Sequence, residues 1–254
     1  MSNAVFGAPL LAEEGEQISL TTSVQYKAVK PGWNEVKMYC DTQWRIAHCP
    51  RLQHVIYYDA DGTTKYNEYT TYATDGSSST HVPLDAMAAT DYLYLGTNEP
   101  VSGFYFDIGS NTNDEAADLD WEYCSTAIAP GATIAFTDVG GSDTDGTKTT
   151  QTMDTDGAYT FGTVPAEGTI LRSTLGTYQV PLYGKCFWYR FKPSIALAAA
   201  VDINEIIPIY KNTNYGYREP GVEYTWTINL SKTGGFALLS VGSSATLDVT
   251  WLSH

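Results

Sequence analysis

Ala245-Thr246-Leu247-Asp248-Val249-Thr250-Trp251-Leu252 places Ala, Leu, Val and Trp at every second position. A period of two is the period of a pleated strand, whose side chains point to alternate faces, so this stretch reads as a strand with one buried face. It is the cleanest alternation in the chain. The same pattern opens the ordered part of the sequence, where Ile18, Leu20, Thr22, Val24 and Tyr26 alternate with polar neighbours. Between these two ends, short alternating or apolar runs recur: Glu35 to Tyr39, His54 to Tyr58, Lys65 to Tyr72, Tyr92 to Leu95, Gly103 to Ile108, Leu119 to Cys124, Ala158 to Phe161, Lys185 to Phe191, Tyr224 to Leu230 and Gly235 to Val241. Turn chemistry separates them, as in Pro31-Gly32, Asp59-Ala60-Asp61-Gly62 and Gly109 to Asp114. The turn at Asp59 to Gly62 predicts a hairpin between its two flanking strands. Leu84 to Ala89 reads as a short helical turn. Ala196 to Ile209 is open to helix or strand, and its β-branched Val201, Ile203 and Ile207 favour strand.

Composition agrees with this pattern. The 254 residues suffice for one large β domain or two small ones. Hydrophobic residues make up 43% and charged residues only 17%, the opposite of a disordered chain. Nineteen Tyr, with many Thr and Val, suit a half-buried pleated surface. The expected fold class is therefore all-β: an antiparallel β-sandwich, jelly-roll-like, over residues 17–254, with an extended N-terminal arm over residues 1–16 and the N- and C-terminal strands completing the sheets. No fixed internal period points to a propeller or solenoid.

The net charge of −15 opposes approach to phosphate backbones and anionic bilayers, so neither nucleic acid nor membrane is an expected partner. No apolar run reaches the length of a membrane helix, and the N-terminus lacks the basic region of a secretion signal. Cys40, Cys49, Cys124 and Cys186 show no zinc spacing and sit among apolar or aromatic neighbours, which predicts buried free thiols; a Cys40–Cys49 bridge is the alternative if those residues form a hairpin.

Motifs for catalysis are absent. His48, His54, His81 and His254 fit no metalloprotease spacing, and there is neither a nucleophile elbow nor a phosphate-binding loop. No catalytic residue and no cofactor are expected. Asp118, Asp120 and Glu122 share one face of a strand, as paired glycosidase carboxylates would, but a solvated face opposite Leu119, Trp121 and Tyr123 explains them equally. Asp59 to Gly62, Asp143 to Gly146 and Asp154 to Gly157 resemble calcium half-sites, while Asp-Gly is also common turn chemistry. The turn reading is preferred; any calcium would fall to Asp143, Asp145, Asp154 and Asp156 acting together across the Gly-, Asp- and Thr-rich stretch of residues 138–156. Tyr57, Tyr58, Tyr66, Tyr69, Tyr72, Tyr92, Tyr94 and Tyr105 are candidates for a glycan-stacking platform or for contact with a second sheet or subunit.

One stretch carries a resemblance. Leu93-Tyr94-Leu95-Gly96 with Glu99-Pro100, Gly103 to Asp107, Leu119-Asp120-Trp121-Glu122-Tyr123, Asp145-Gly146-Thr147, Asp156 to Phe161, Phe187-Trp188-Tyr189-Arg190-Phe191 and Ile203 with Glu205-Ile206 follow one another in order. Together they resemble a domain of bacteriophage virion proteins, over residues 92–209. Where that family places an N-G-x-x-W hairpin, this chain has Cys124-Ser125-Thr126-Ala127 and Pro130-Gly131. The resemblance implies a jelly-roll sandwich without catalysis and a location in the virion. It also implies a structural role as a capsid decoration (cement) protein, or as a tail, neck or baseplate component. The implied partners are the major capsid protein or other virion proteins, and other copies of the chain in a homo-oligomer, here expected to be a trimer. A carbohydrate-binding module for host-surface glycans is the alternative from a different class, with a glycan-cleaving enzyme behind it.

Overall fold

Residues that alternate in sequence alternate in burial. In Ala245 to Trp251 the side chains of Leu247, Val249 and Trp251 are at most 1% exposed, while Thr246 and Asp248 lie at the surface. The structure, a computed structural model, describes residues 12–75, 77, 79–125, 135–140, 143–163, 174–181, 186–211, 215–230 and 232–253. No helix occurs among them. The strands are β1 (Ala12–Leu20), β2 (Gln25–Ala28), β3 (Glu35–Cys40), β4 (Trp44–Pro50), β5 (Leu52–Tyr58), β6 (Tyr66–Glu68) and β7 (Val82–Pro83). Next come β8 (Tyr92–Thr97), β9 (Val101–Ile108), β10 (Leu119–Cys124), β11 (Phe136–Asp138), β12 (Thr144–Asp145), β13 (Gly157–Thr160), β14 (Thr174–Leu175) and β15 (Tyr178–Gln179). The last are β16 (Phe187–Pro193), β17 (Asp202–Tyr210), β18 (Gly216–Arg218), β19 (Tyr224–Thr227), β20 (Thr233–Ser240) and β21 (Ala245–Ser253).

The sequence reading expects one sandwich over residues 17–254. The chain instead divides into two compact units: unit 1, Met1–His48 with Asn214–His254, and unit 2, Cys49–Thr213. Alternation reports that a strand buries one face, not which sheet it joins, so it does not separate the two. Unit 1 is a sandwich of two four-stranded sheets, β1-β21-β3-β19 and β18-β4-β20-β2. Val36, Met38, Leu247, Val249 and Trp251 from the first sheet meet Trp44, Ile46, Phe236 and Leu238 from the second in one core. The Trp44 ring meets Tyr224 and Trp226 edge-on at 6.2 and 6.1 Å. The expected arm ends inside a strand: residues 12–16 belong to β1, which pairs with β21 from Ala12↔Ser253 to Leu20↔Ala245. Residues 1–11 lie outside the described residues. Ladder bonds to an ordered C-terminal strand, together with Glu16 accepting from the Trp251 indole at 2.5 Å, hold residues 12–16 where composition alone suggests a loose arm.

Unit 2 sets a six-stranded sheet, β11-β10-β16-β8-β5-β6, against a five-stranded sheet, β12-β13-β9-β17-β7. Among the described residues the strand pairings of both sheets are antiparallel, and β5 and β6 form the expected hairpin, Tyr58↔Tyr66. Trp121 centres the core between the sheets, 4.8 Å from the Phe191 ring and stacked on Phe104 at 5.4 Å. The short helical turn expected at 84–89 is a reverse turn, Met87 N donating to Leu84 O, with Ala86 at φ 48°. The alanines after Ser194 precede β17 and run beside that turn, where Ala86 N donates to Ala198 O and Leu197 N to Met87 O. The small side chains there permit the two backbones to meet.

Replacing Trp121 with Ala opens a large cavity among five aromatic neighbours. Urea denaturation should show a loss of about 3–5 kcal/mol, and a loss below about 1 kcal/mol would contradict this core assignment.

Candidate functional site

Two places gather the residue types that sequence singles out: the acidic hairpin loop between β12 and β13, and the outer face of the six-stranded sheet. The loop begins with a close backbone approach. Gly146 N donates to Ala158 O at 3.0 Å. A Cβ on Gly146 would lie 2.5 Å from that same oxygen, and a Cβ on Gly157 would overlap the Gly146 carbonyl. Both Asp-Gly glycines are therefore required by backbone packing, independently of any ion.

The four aspartates of the calcium alternative each serve a different part of the loop. Asp145 Oδ1 accepts from the Thr147 amide at 2.9 Å and the Thr147 hydroxyl at 2.5 Å, and that hydroxyl oxygen accepts from Met153 N at 3.0 Å. Asp154 accepts from the amides of Thr149, Thr150 and Gln151 at 2.7, 2.6 and 2.9 Å and from the Thr149 hydroxyl at 2.7 Å. Asp156 accepts from Ile108 N on β9 at 2.8 Å. Asp143 accepts from Gly162 N at 2.9 Å and from the Tyr159 hydroxyl at 3.3 Å. Met153 has a φ of 59°, a conformation costly for a residue with a Cβ, and its fully buried side chain joins the unit 2 core. Asn113, 1% exposed, closes the loop by donating to Thr152 O at 3.0 Å. Among the described residues, no group of three or more His, Cys, Asp or Glu converges as metal ligands would. The structure does not bring Asp143, Asp145, Asp154 and Asp156 together as one site: they brace the turn.

Burial opposes ionisation of Asp154, but the Gln151, Thr149 and Thr150 amides outweigh it and hold the carboxyl well below the usual aspartate range. Burial, with Asp143 alongside, pushes the Tyr159 phenol up.

The glycosidase-like trio is also dispersed in role. Asp118 pairs with Lys148 at 2.9 Å, Asp120 is exposed, and Glu122 accepts from Arg190 Nε at 2.5 Å. His48 lies 5.3 Å from the Phe236 ring, His54 stacks on Trp188, and His81 Nε2 is 3.1 Å from Asp202. His254 lies outside the described residues. Burial lowers the pKa of His54, with Glu68 opposing. The four cysteines are buried and none forms a disulfide among the described residues, and burial raises the Cys49 thiol to about 12. Such thiols are poor nucleophiles.

The outer face of the six-stranded sheet gathers half of the tyrosines named from sequence. Tyr58 and Tyr66 lie 4.9 Å apart, and Tyr178 from the β14–β15 hairpin stacks on Tyr66 at 5.7 Å. Tyr92 and Tyr94 lie 5.9 Å apart, with Phe136 edge-on to Tyr94 at 5.7 Å. The Arg190 guanidinium lies 4.0 Å from the Tyr92 ring and 4.2 Å from Phe136, and it donates to the Tyr94 hydroxyl at 3.1 Å. The other four tyrosines sit elsewhere. Tyr57 donates to buried Asp91 at 3.0 Å, Tyr69 packs on the inner core beside Tyr72, and Tyr105 lies on β9 in the opposite sheet. Phe136 and Tyr178 escape a motif reading because they reach this face from separate strands, β11 and β15. Arg190 stands in the aromatic motif of residues 187–191, and alternation within β16 puts it with Trp188 on one side and Phe187, Tyr189 and Phe191 on the other.

Comparisons with family models, with curated protein sequences and with solved structures give no match to the chain.

The bracing role of the loop has two measurable consequences. Gly157→Ala forces two backbones apart and should destabilise by about 1–3 kcal/mol or more, with calcium leaving the melting temperature of the native chain unchanged; a calcium-dependent rise would contradict the bracing role. A carboxylate with a depressed pKa stabilises the fold above the ordinary aspartate range, near 3.8, and loses that contribution as pH falls toward the folded value. Asp154→Asn should therefore be less stable than the native chain at pH 7, and the gap should shrink as pH drops below the ordinary range. A gap independent of pH would show that charge at Asp154 is irrelevant.

Proposed function

We propose that the chain is a bacteriophage virion structural protein, most specifically a decoration protein of the capsid, acting through contact and not through catalysis. The observation that carries the reading is the order of strands in unit 2. In the five-stranded sheet β7-β17-β9-β13 are adjacent, and in the six-stranded sheet β8-β16-β10-β11 are adjacent. Read along the chain, β7 to β10 alternate between sheets, β11 stays in the sheet of β10, and β11, β13, β16 and β17 alternate again, the order expected of a jelly roll, with β5, β6 and β12 added at the margins. The stretch that resembles phage virion domains, residues 92–209, falls inside this unit.

The polar side chains support the same reading. Asp143, Asp145, Asp154 and Asp156 accept from donors of the fold itself, which suits a rigid scaffold. Charge is divided unequally: Cys49–Thr213 holds 21 acids against 8 bases, net −13, while the remainder holds 8 against 6, net −2. An acidic jelly roll repels nucleic acid and complements a basic protein surface. The proposed partners are the major capsid protein or other virion proteins, with the chain itself a trimer; a tail, neck or baseplate position would use the same scaffold.

Sequencing the DNA that flanks the gene tests the class: capsid, portal or tail genes are expected beside it, and an operon of metabolic enzymes would contradict it. Light scattering coupled to size-exclusion chromatography tests the assembly. Three chain masses are expected, and a monomer at every concentration would overturn the trimer.

A further inference from the structure

The outer face of the six-stranded sheet goes beyond what a scaffold requires. A sheet face turned away from the core of a sandwich is ordinarily polar. Here it carries Tyr58, Tyr66, Tyr92, Tyr94, Phe136 and Tyr178 in ring contact, and all but Tyr94 keep part of the ring at the surface. Polar groups are set among the rings. Arg190 and Glu122 pair beside Tyr92, and Glu68 accepts from the Tyr178 hydroxyl at 3.5 Å. Beneath the rings, Trp188 is 2% exposed and its indole N–H has no hydrogen-bond partner. The indoles of Trp44 and Trp121 also lack partners, but those two lie between sheets, whereas Trp188 belongs to the cluster of the outer face.

We propose that this face binds a neutral oligosaccharide. A sugar ring has apolar C–H faces that lie flat on aromatic rings and a rim of hydroxyls that both donate and accept, which matches rings interleaved with a guanidinium and two carboxylates. The net charge of −13 on this unit selects against sialylated or sulfated glycans. The assignment does not rest on a virion location, and it gives the face a ligand where the scaffold reading gives it none.

The test is a glycan array probed with the labelled full chain, followed by tryptophan-fluorescence titration with the best neutral glycan. Tyr92→Ala and Tyr66→Ala should each weaken binding by about tenfold or more, and Tyr92→Phe should retain it. Tyr72→Ala, which removes a ring that is 43% exposed and away from this face, should bind as the native chain does. Circular dichroism of each variant confirms folding, and Tyr66→Ala decides the matter if Tyr92→Ala fails to fold. The proposal is overturned by an array on which no neutral glycan binds, by a preference for sialylated glycans, or by native affinity in both folded alanine variants.

Discussion

Strand β16 begins apolar on both faces, and a sheet built around such a segment has to be covered twice. Phe187, Tyr189 and Phe191 point inward and are at most 4% exposed; Cys186 and Trp188 point outward and are no more exposed than that. The inner side is covered by the five-stranded sheet. The outer side is covered by aromatic side chains from β5, β6, β8 and β11 and by Leu175 and Val180 of the β14–β15 hairpin. Arg190 continues the outward row, and a guanidinium in that setting is tolerable only with a partner. Glu122 on the neighbouring strand β10 provides it, in register opposite Arg190. The acid that sequence offers as half of a catalytic pair is thus needed to neutralise a half-buried cation.

The same economy governs the loops. Backbone amides in tight turns need acceptors, and unit 2 supplies them with carboxylates: Asp59 for Asp61 and Gly62, Asp91 for Ala60 and Ala88, and the aspartates of the 143–157 hairpin for their own turns. The acidity of this unit is therefore partly structural. An ionised side chain that accepts two or more amide protons is worth more to a turn than a neutral one, so selection for rigid turns alone raises the count of acids. What remains at the surface, including Asp114, Glu115 and Asp120, sets the negative field of this unit.

Period-two alternation made the strand content legible in the sequence, because burial of one face leaves that trace in any β protein. Ala245 to Leu252 is of this kind; the alternating run from Ile18 to Tyr26 is not one strand, because it breaks at residues 21–24 between β1 and β2, which join different sheets. The division into two units was not legible. It depends on which strands pair, and β1 with β21, β2 with β20 and β3 with β19 are pairings between opposite ends of the chain. The arm boundary failed for the same reason: Ala12 to Glu16 has no period of its own and is ordered by a distant partner. At the loop, Asp-Gly spacing favoured turns and left calcium as the alternative, and the glycines answer to backbone contact. Four of the eight tyrosines proposed as a platform do share a face; which four is decided by sheet order, and sequence carries no record of that.

The interleaving of unit 1 has a consequence for how the chain reaches its fold. Cys49–Thr213 is contiguous and contains all the strands of its two sheets, so its core can form from one uninterrupted segment. Unit 1 cannot: each of β1 to β4 finds its partner only among β18 to β21, after the whole of unit 2 has been made. Closing a loop of that length carries a large entropy when the intervening chain is unfolded, and a smaller one when it has already condensed. Unit 2 therefore precedes unit 1 in the economical order of assembly, and the stability of the terminal sandwich depends on the inserted one.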